Sequence, residues 1–136
     1  MKNPTRRKFI AGSLALVAGT ATSAQPAFRE VRRLPSLVHH VFFWLKNPQS
    51  QADLNQLIAG LRTLEKIETV RAIHIGVPAK TESRPVIDGS YSVSELLFFD
   101  DLAGQKIYQD HPIHQQFVAG YSALWEKVLV YDVMKA

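Results

Sequence analysis

Three short stretches of this chain carry apolar side chains at consecutive rather than alternating positions: Val41-Phe42-Phe43-Trp44-Leu45, Leu96-Leu97-Phe98-Phe99 and Val128-Leu129-Val130-Tyr131. Successive residues of a strand point to opposite faces, so a sheet built from these stretches is apolar on both sides. Both sides then need cover, which restricts how few layers a chain of 136 residues can form.

The stretches fall into a regular order of elements. Leu37 to Leu45 is rich in β-branched and aromatic residues and stops at the turn signal Lys46-Asn47-Pro48, which predicts the first strand. Ser50 with Asp53 three residues on marks a helix start, and Leu54, Leu57, Ile58, Leu61 and Leu64 recur as one apolar stripe. Val70 to Val77, closed by Pro78, predicts a second strand; Ala79 to Ser90 reads as a long loop. Tyr91 to Phe99 predicts the third strand, and Asp100-Asp101 caps a short helix to about Gln109. Pro112 suits the first turn of a new helix whose buried side is Ile113, Phe117, Tyr121, Leu124 and Trp125, before a last strand from Val128 to Val133.

The order βαββαβ, with its second helical region broken at His111-Pro112, is that of an α+β, ferredoxin-like layer with a four-stranded antiparallel sheet. Its helices cover one face of that sheet. The apolar second face predicts a second copy packed sheet against sheet, giving a homodimeric α/β barrel with two-fold symmetry.

Ahead of the domain, Lys2, Arg6, Arg7 and Lys8 precede an uncharged stretch from Phe9 to Ala24, the order of a secretory signal. Thr5-Arg6-Arg7-Lys8-Phe9-Ile10 is similar to the twin-arginine pattern. The stretch is diluted by Gly12, Ser13, Gly19, Thr20, Thr22 and Ser23, whereas a bilayer span needs ~20 predominantly apolar residues. The expectation is a signal peptide over 1–24, cut after Ala24 or Ala21, a lead-in over 25–36 and one domain over 37–136. Export by the twin-arginine route places the mature domain in the periplasm or outside the cell, with no stable membrane anchor.

The net charge of +4 belongs to that signal, because 16 Lys and Arg against 12 acids becomes 12 against 12 without its four cations. The remaining basic cluster, Arg29, Arg32 and Arg33, is too small for a nucleic-acid surface, and nucleic-acid binding is excluded. The chain has no cysteine, so packing or assembly, rather than disulfides, must hold the exported domain together.

Five histidines are the most informative polar residues. Period two places His39 with Val41, Phe43 and Leu45 on one strand face and His40 with Val38, Phe42 and Trp44 on the other, so one histidine faces the barrel interior. His111 and His114 share a side at the start of the last helix, and Tyr108 lies one turn earlier, beyond the break. A histidine near neutrality moves a proton in either direction, and a tyrosine beside it can donate to a developing oxyanion. Arg84, in the long loop, would meet an anionic ligand group if that loop is a lid. His40 and His74 read as structural or surface groups. A zinc site from His39, His111 and His114 lacks a cysteine and an obviously placed carboxylate, so neither a metal nor another cofactor is expected.

His39 with the VFFWLKNP that begins at Val41, Val70 to Pro78, and above all Tyr108-Gln109-Asp110-His111-Pro112-Ile113-His114 leading to Leu124-Trp125-Glu126-Lys127 resemble the stress-responsive dimeric α/β-barrel (Dabb) family. The resemblance runs from about Leu37 to Val133 and implies the same dimeric ferredoxin-like barrel. A plant cyclase of that family closes a linear poly-β-ketone without a cofactor, using a histidine and a tyrosine of this segment. The resemblance implies His114 as general base, Tyr108 as the group that polarises a carbonyl, and His39 as a wall of the same cavity. The cyclase has a further histidine on its third strand, where this chain has Val93 or a neighbour, so one polar contact is missing and a different substrate is implied.

Two functions fit these residues. In one, the barrel cavity holds a small apolar or aromatic molecule against His39, Tyr108 and His114, with His111, Phe43 and Arg84 as further contacts, for cyclase- or isomerase-like proton transfer. In the other, the cavity is filled by Phe43, Phe99 and Phe117, Tyr108 and His114 are structural, and the dimer acts as a non-catalytic stress-response or interaction protein. Haem or oxidative chemistry has no feature of its own here beyond the histidines.

Overall fold

Branched and aromatic residues take Leu37–Leu45 into strand β1, and Ser50 then starts helix α1 (Gln51–Arg62) by accepting the Asp53 N–H on its hydroxyl at 3.1 Å. These are coordinates of a computed structural model that describes residues 33–136; the expected signal peptide, its expected cleavage sites and most of the expected lead-in lie outside the described residues. The apolar stripe of α1 continues through a 3-10 turn, Thr63–Lys66, which buries Leu64. The Val70 N–H is held in a turn by the Ile67 carbonyl at 3.0 Å, so strand β2 (Ala72–Gly76) starts two residues later than its hydrophobicity predicts.

Strand β3 (Val93–Phe99) also starts late, because Ser92 answers the Leu45 N–H with its hydroxyl, at 3.1 Å, instead of a ladder carbonyl. Asp101 caps helix α2 (Leu102–Asp110) by accepting the Gly104 N–H at 2.8 Å. The residue before a proline avoids the helical region, and His111 sits at φ −65°, ψ 139°, which ends α2 and lets Pro112 open helix α3 (Pro112–Tyr121). Leu124 and Trp125, expected on the last helix, leave it. Ser122–Leu124 forms a 3-10 turn and Trp125 already pairs with Leu45 at the start of strand β4 (Trp125–Met134), so the long β1–β4 ladder overrides helical spacing.

The sheet is four-stranded and antiparallel in the order β2-β3-β1-β4, with β1 pairing both β3 and β4. Together with the helices this is the ferredoxin-like fold expected from the sequence. Register puts His39, Val41, Phe43 and Leu45 of β1 on the same face as Glu95, Leu97 and Phe99 of β3. That face meets Leu57, Leu61, Leu64, Ile67, Tyr108 and Phe117 to form the core. Helices α1 and α3 approach closely at Gly60, where an added Cβ would lie 2.8 Å from carbons of the Tyr121 ring.

The opposite face presents Val38, Phe42, Leu96, Phe98 and Leu129, all partly exposed, with Tyr131 and Val133 at 55% and 54% exposure. His40, His74 and Lys127 interrupt it, Lys127 lying over the Trp44 ring at 4.3 Å. Among the described residues, no helix covers this face.

Candidate functional site

The break at His111-Pro112 folds α3 back beside α2, and the result is an aromatic and imidazole cluster against the sheet. The His114 ring lies 4.7 Å from that of Tyr108, centroid to centroid, and the His39 ring meets Tyr108 edge-on at 5.7 Å. These three, the residues expected to be catalytic, converge on a cavity of about 360 Å³ that is also lined by Phe43, Glu95 and Phe117. That volume lies in the range of small-molecule sites. A hollow of about 340 Å³ between the Thr63–Lys66 turn and α3 is as large but brings Lys66 alone among charged groups, so chemistry, not size, singles out the first.

The cavity lies between the sheet and α2/α3. The sequence placed His39, Tyr108 and His114 around the interior of a dimeric barrel; the fold instead puts them on the helix-covered face of one chain, while His40 takes the free face. The reason is burial. The odd residues of β1 are the deeply buried set, and the helices that carry Tyr108 and His114 are what buries them.

Two other expected contacts stand elsewhere. His111 caps α3: its Nδ1 accepts the Ile113 N–H at 3.1 Å, and its Nε2 lies 3.2 Å from the Glu68 carboxylate, away from the cavity lining. Arg84 is exposed beside Glu82 at 3.6 Å. Its loop is tied to the other side of the sheet, where Ser90 accepts the Trp44 indole N–H at 3.1 Å and Asp88 neighbours Phe42 and Leu129. The loop is therefore no lid over His114. Phe43, in contrast, does line the cavity, with Phe117 and Trp125 packed against it.

Hydrogen bonds fix the protonation pattern. A backbone carbonyl only accepts, so His114 Nδ1, 3.1 Å from the Gln109 oxygen, carries a hydrogen, and neutral His114 keeps its lone pair on Nε2. Burial and the neighbouring His39 hold the His114 pKa below the usual 6.5 against the opposing pull of the Gln109 carbonyl. Burial first, and the Glu95 carboxyl second, push the Tyr108 phenol above its usual range, so it remains a donor. His39 donates from Nδ1 to Asp132 Oδ1 at 2.6 Å across the β1–β4 ladder. Among the described residues, no three His, Cys, Asp or Glu side chains are grouped to hold a metal ion.

Sequence reasoning missed two members of this site. Glu95 is 1% exposed, and one of its oxygens has no hydrogen-bond partner. Its signal was parity: it stands two and four residues before Leu97 and Phe99, on the register of the core. Asp132 could not be found that way, because its role depends on which residue of β1 it faces.

Residues 37–135 match the model of the stress responsive A/B barrel domain, Dabb. The chain belongs to the Dabb family. No protein of curated function matches it. A Dabb family protein of Mesorhizobium loti with a ferredoxin-like fold superposes with a TM-score of 0.61 at 25% identity, over 74% of this chain and 96% of the other. A dimeric ferredoxin-like protein of Thermobifida fusca gives 0.59 at 18% identity, over 76% and 95%. The hydroxynitrile lyase of Passiflora edulis gives 0.64 at 20% identity, over 76% and 96%. The Dabb match spans every strand and helix that positions the cavity.

Proposed function

We propose that this Dabb protein is a cofactor-independent acid-base catalyst acting on a small, largely apolar carbonyl compound. His114 Nε2 takes a proton from the carbon next to the carbonyl, and the Tyr108 hydroxyl stabilises the enolate oxygen that forms. His39 lines the same cavity and is oriented by Asp132. The observation that carries the reading is the His114–Tyr108 contact on the wall of an apolar cavity, with the Gln109 carbonyl directing the His114 lone pair to Nε2. The Passiflora protein adds support at the level of fold, since it is an enzyme on the same scaffold.

Enolisation can be read before any product is known, as exchange of α-hydrogens for deuterium. In D₂O, the protein should speed exchange at the benzylic carbon of phenylacetone, followed by proton NMR. General base catalysis is worth about 10²–10⁴-fold, so His114→Ala should remove most of the acceleration and Tyr108→Phe part of it. Equal rates for the wild type and His114→Ala would discard this reading and favour the non-catalytic interaction protein.

Two wider proposals accompany it. The protein acts as a homodimer that buries the free sheet face, supported by the apolar residues there and by the dimeric Thermobifida neighbour. It is exported through the twin-arginine route, supported by Arg6-Arg7 and the uncharged stretch behind them.

A further inference from the structure

Besides His39, Tyr108, Gln109, His114 and Ser122, the cavity wall is apolar but for one acid. Val41, Phe43, Phe117, Val118, Trp125, Val128 and Val130 stand there with a single carboxyl group, Glu95, from the middle of β3. It is directly opposite Val41 in the ladder, on the face that also holds Val93, Leu97 and Phe99. An aliphatic side chain would continue that pattern. Glu95 is instead 1% exposed, with its Oε1 enclosed and unpartnered. Leaving a buried polar atom unpaired is costly, so a partner from outside the chain would relieve a penalty the protein now carries.

We propose that Glu95 is the ligand anchor of this cavity: its carboxyl group donates a hydrogen bond to a carbonyl or hydroxyl oxygen of an uncharged ligand and selects against carboxylates of the same shape. The proposal deepens the function above and rests on the cavity being a ligand site. The titratable groups that line the cavity with Glu95 are His39 from β1, Tyr108 from α2 and His114 from α3, with Asp132 of β4 bonded to His39; among the described residues, no Lys or Arg lines it. Without a cation to hold it ionised, burial pushes the Glu95 carboxyl up to about 8, so it is a neutral acid at pH 7 with one O–H to give. An anionic ligand would find no Lys or Arg to pair with here and would bury its own charge.

Phenylacetone and phenylacetate are near isosteres that differ in charge, and their binding is measurable by NMR titration without any reaction. At pH 6.5 the wild type should bind phenylacetone about tenfold more tightly than phenylacetate, the worth of about one hydrogen bond. Phenylacetone affinity should fall between pH 6.5 and 9.5 as Glu95 loses its proton. Glu95→Gln keeps the shape and a donor, so its affinity should stay within about threefold of the wild type and be flat across that range. Glu95→Met should bind about tenfold more weakly at pH 6.5, also without pH dependence.

Equal phenylacetone affinity in all three proteins, or the same loss with pH in Glu95→Gln as in the wild type, overturns the proposal. If Glu95→Met does not fold, the comparison of pH profiles between wild type and Glu95→Gln decides alone. His114→Ala separates this idea from the catalytic one. Glu95-dependent binding with no effect of His114→Ala on exchange would sink the catalysis and keep the anchor, whereas His114-dependent exchange with Glu95-independent binding would do the reverse. Absence of phenylacetone binding to the wild type overturns both.

Discussion

Asp132 holds His39 from the opposite strand, Oδ1 to Nδ1 at 2.6 Å, at a point where β1 and β4 pair residue to residue. The pair joins a buried imidazole to a carboxylate that is itself more than half exposed. Water screens such a carboxylate, so the contact adds little to stability, and its effect is to orient the ring. Asp132→Ala should therefore change unfolding free energy by less than about 1 kcal/mol while slowing phenylacetone exchange several-fold. A parallel loss of stability and rate in chemical denaturation and exchange would mean that the pair is structural only.

The base proposed for the reaction should remain competent in mildly acidic solution. Burial and His39 lower the His114 pKa from 6.5, so its lone pair is protonated only at lower pH than a free imidazole. The acid limb of the exchange rate should have its midpoint below pH 6.5. A midpoint at or above that value would assign the limb to another group.

Glu95 should make stability fall as pH rises. Its folded value of about 8 exceeds the ordinary 4.5, so the folded state holds the proton more tightly. Stability is then full below pH 4.5 and is lost across the window up to about 8, by at most about 1.4 kcal/mol per pH unit. His40 and His114, both lowered, act oppositely, removing stability as pH drops below 6.5. The histidines are the same in the wild type and in Glu95→Gln, so the difference between the two proteins from pH 6.5 to 8 isolates the Glu95 slope. Urea unfolding should show it in the wild type, and Glu95→Gln should abolish it.

Charge placed on the free sheet face should separate the proposed dimer. Val133 is 54% exposed in the single chain and stands among Val38, Phe98 and Tyr131. Val133→Asp should sediment as a folded monomer with unchanged circular dichroism. A dimer that survives this change uses a different surface.

Arg6→Lys combined with Arg7→Lys preserves charge but removes the paired arginines on which twin-arginine export depends. In the native host the doubly changed precursor should stay in the cytoplasm at full length. Normal processing of that variant would assign export to another route or to none.

Elements whose pattern is local were legible in the sequence. The α1 stripe, the Asp101 cap and the His111-Pro112 break each depend on neighbours within a few positions, and each stands where it was expected. Features set by pairing between distant segments were not. Trp125 follows the helical period yet starts β4, because Leu45 is its partner in the ladder. The same cause hid Asp132. Of the residues expected at a site, His39, Tyr108, His114 and Phe43 line one cavity, on the helix-covered side of the sheet rather than in the interior of a dimeric barrel. Loop polarity alone likewise suggested a lid, while Arg84 belongs to a segment fastened to the far face.

The break between α2 and α3 decides more than where two helices meet. In an unbroken helix, positions six apart differ by ~9 Å along the axis and ~120° around it. Tyr108 and His114 on such a rod would look out over different neighbours. Their rings touch because the rod is cut between them, by a proline that cannot continue the ladder of bonds and a residue before it that cannot take helical angles. Neither His111 nor Pro112 enters the cavity, yet together they write the sentence whose two key words are elsewhere. A relative that kept the tyrosine and the histidine but joined the helices would carry the same alphabet and spell no site.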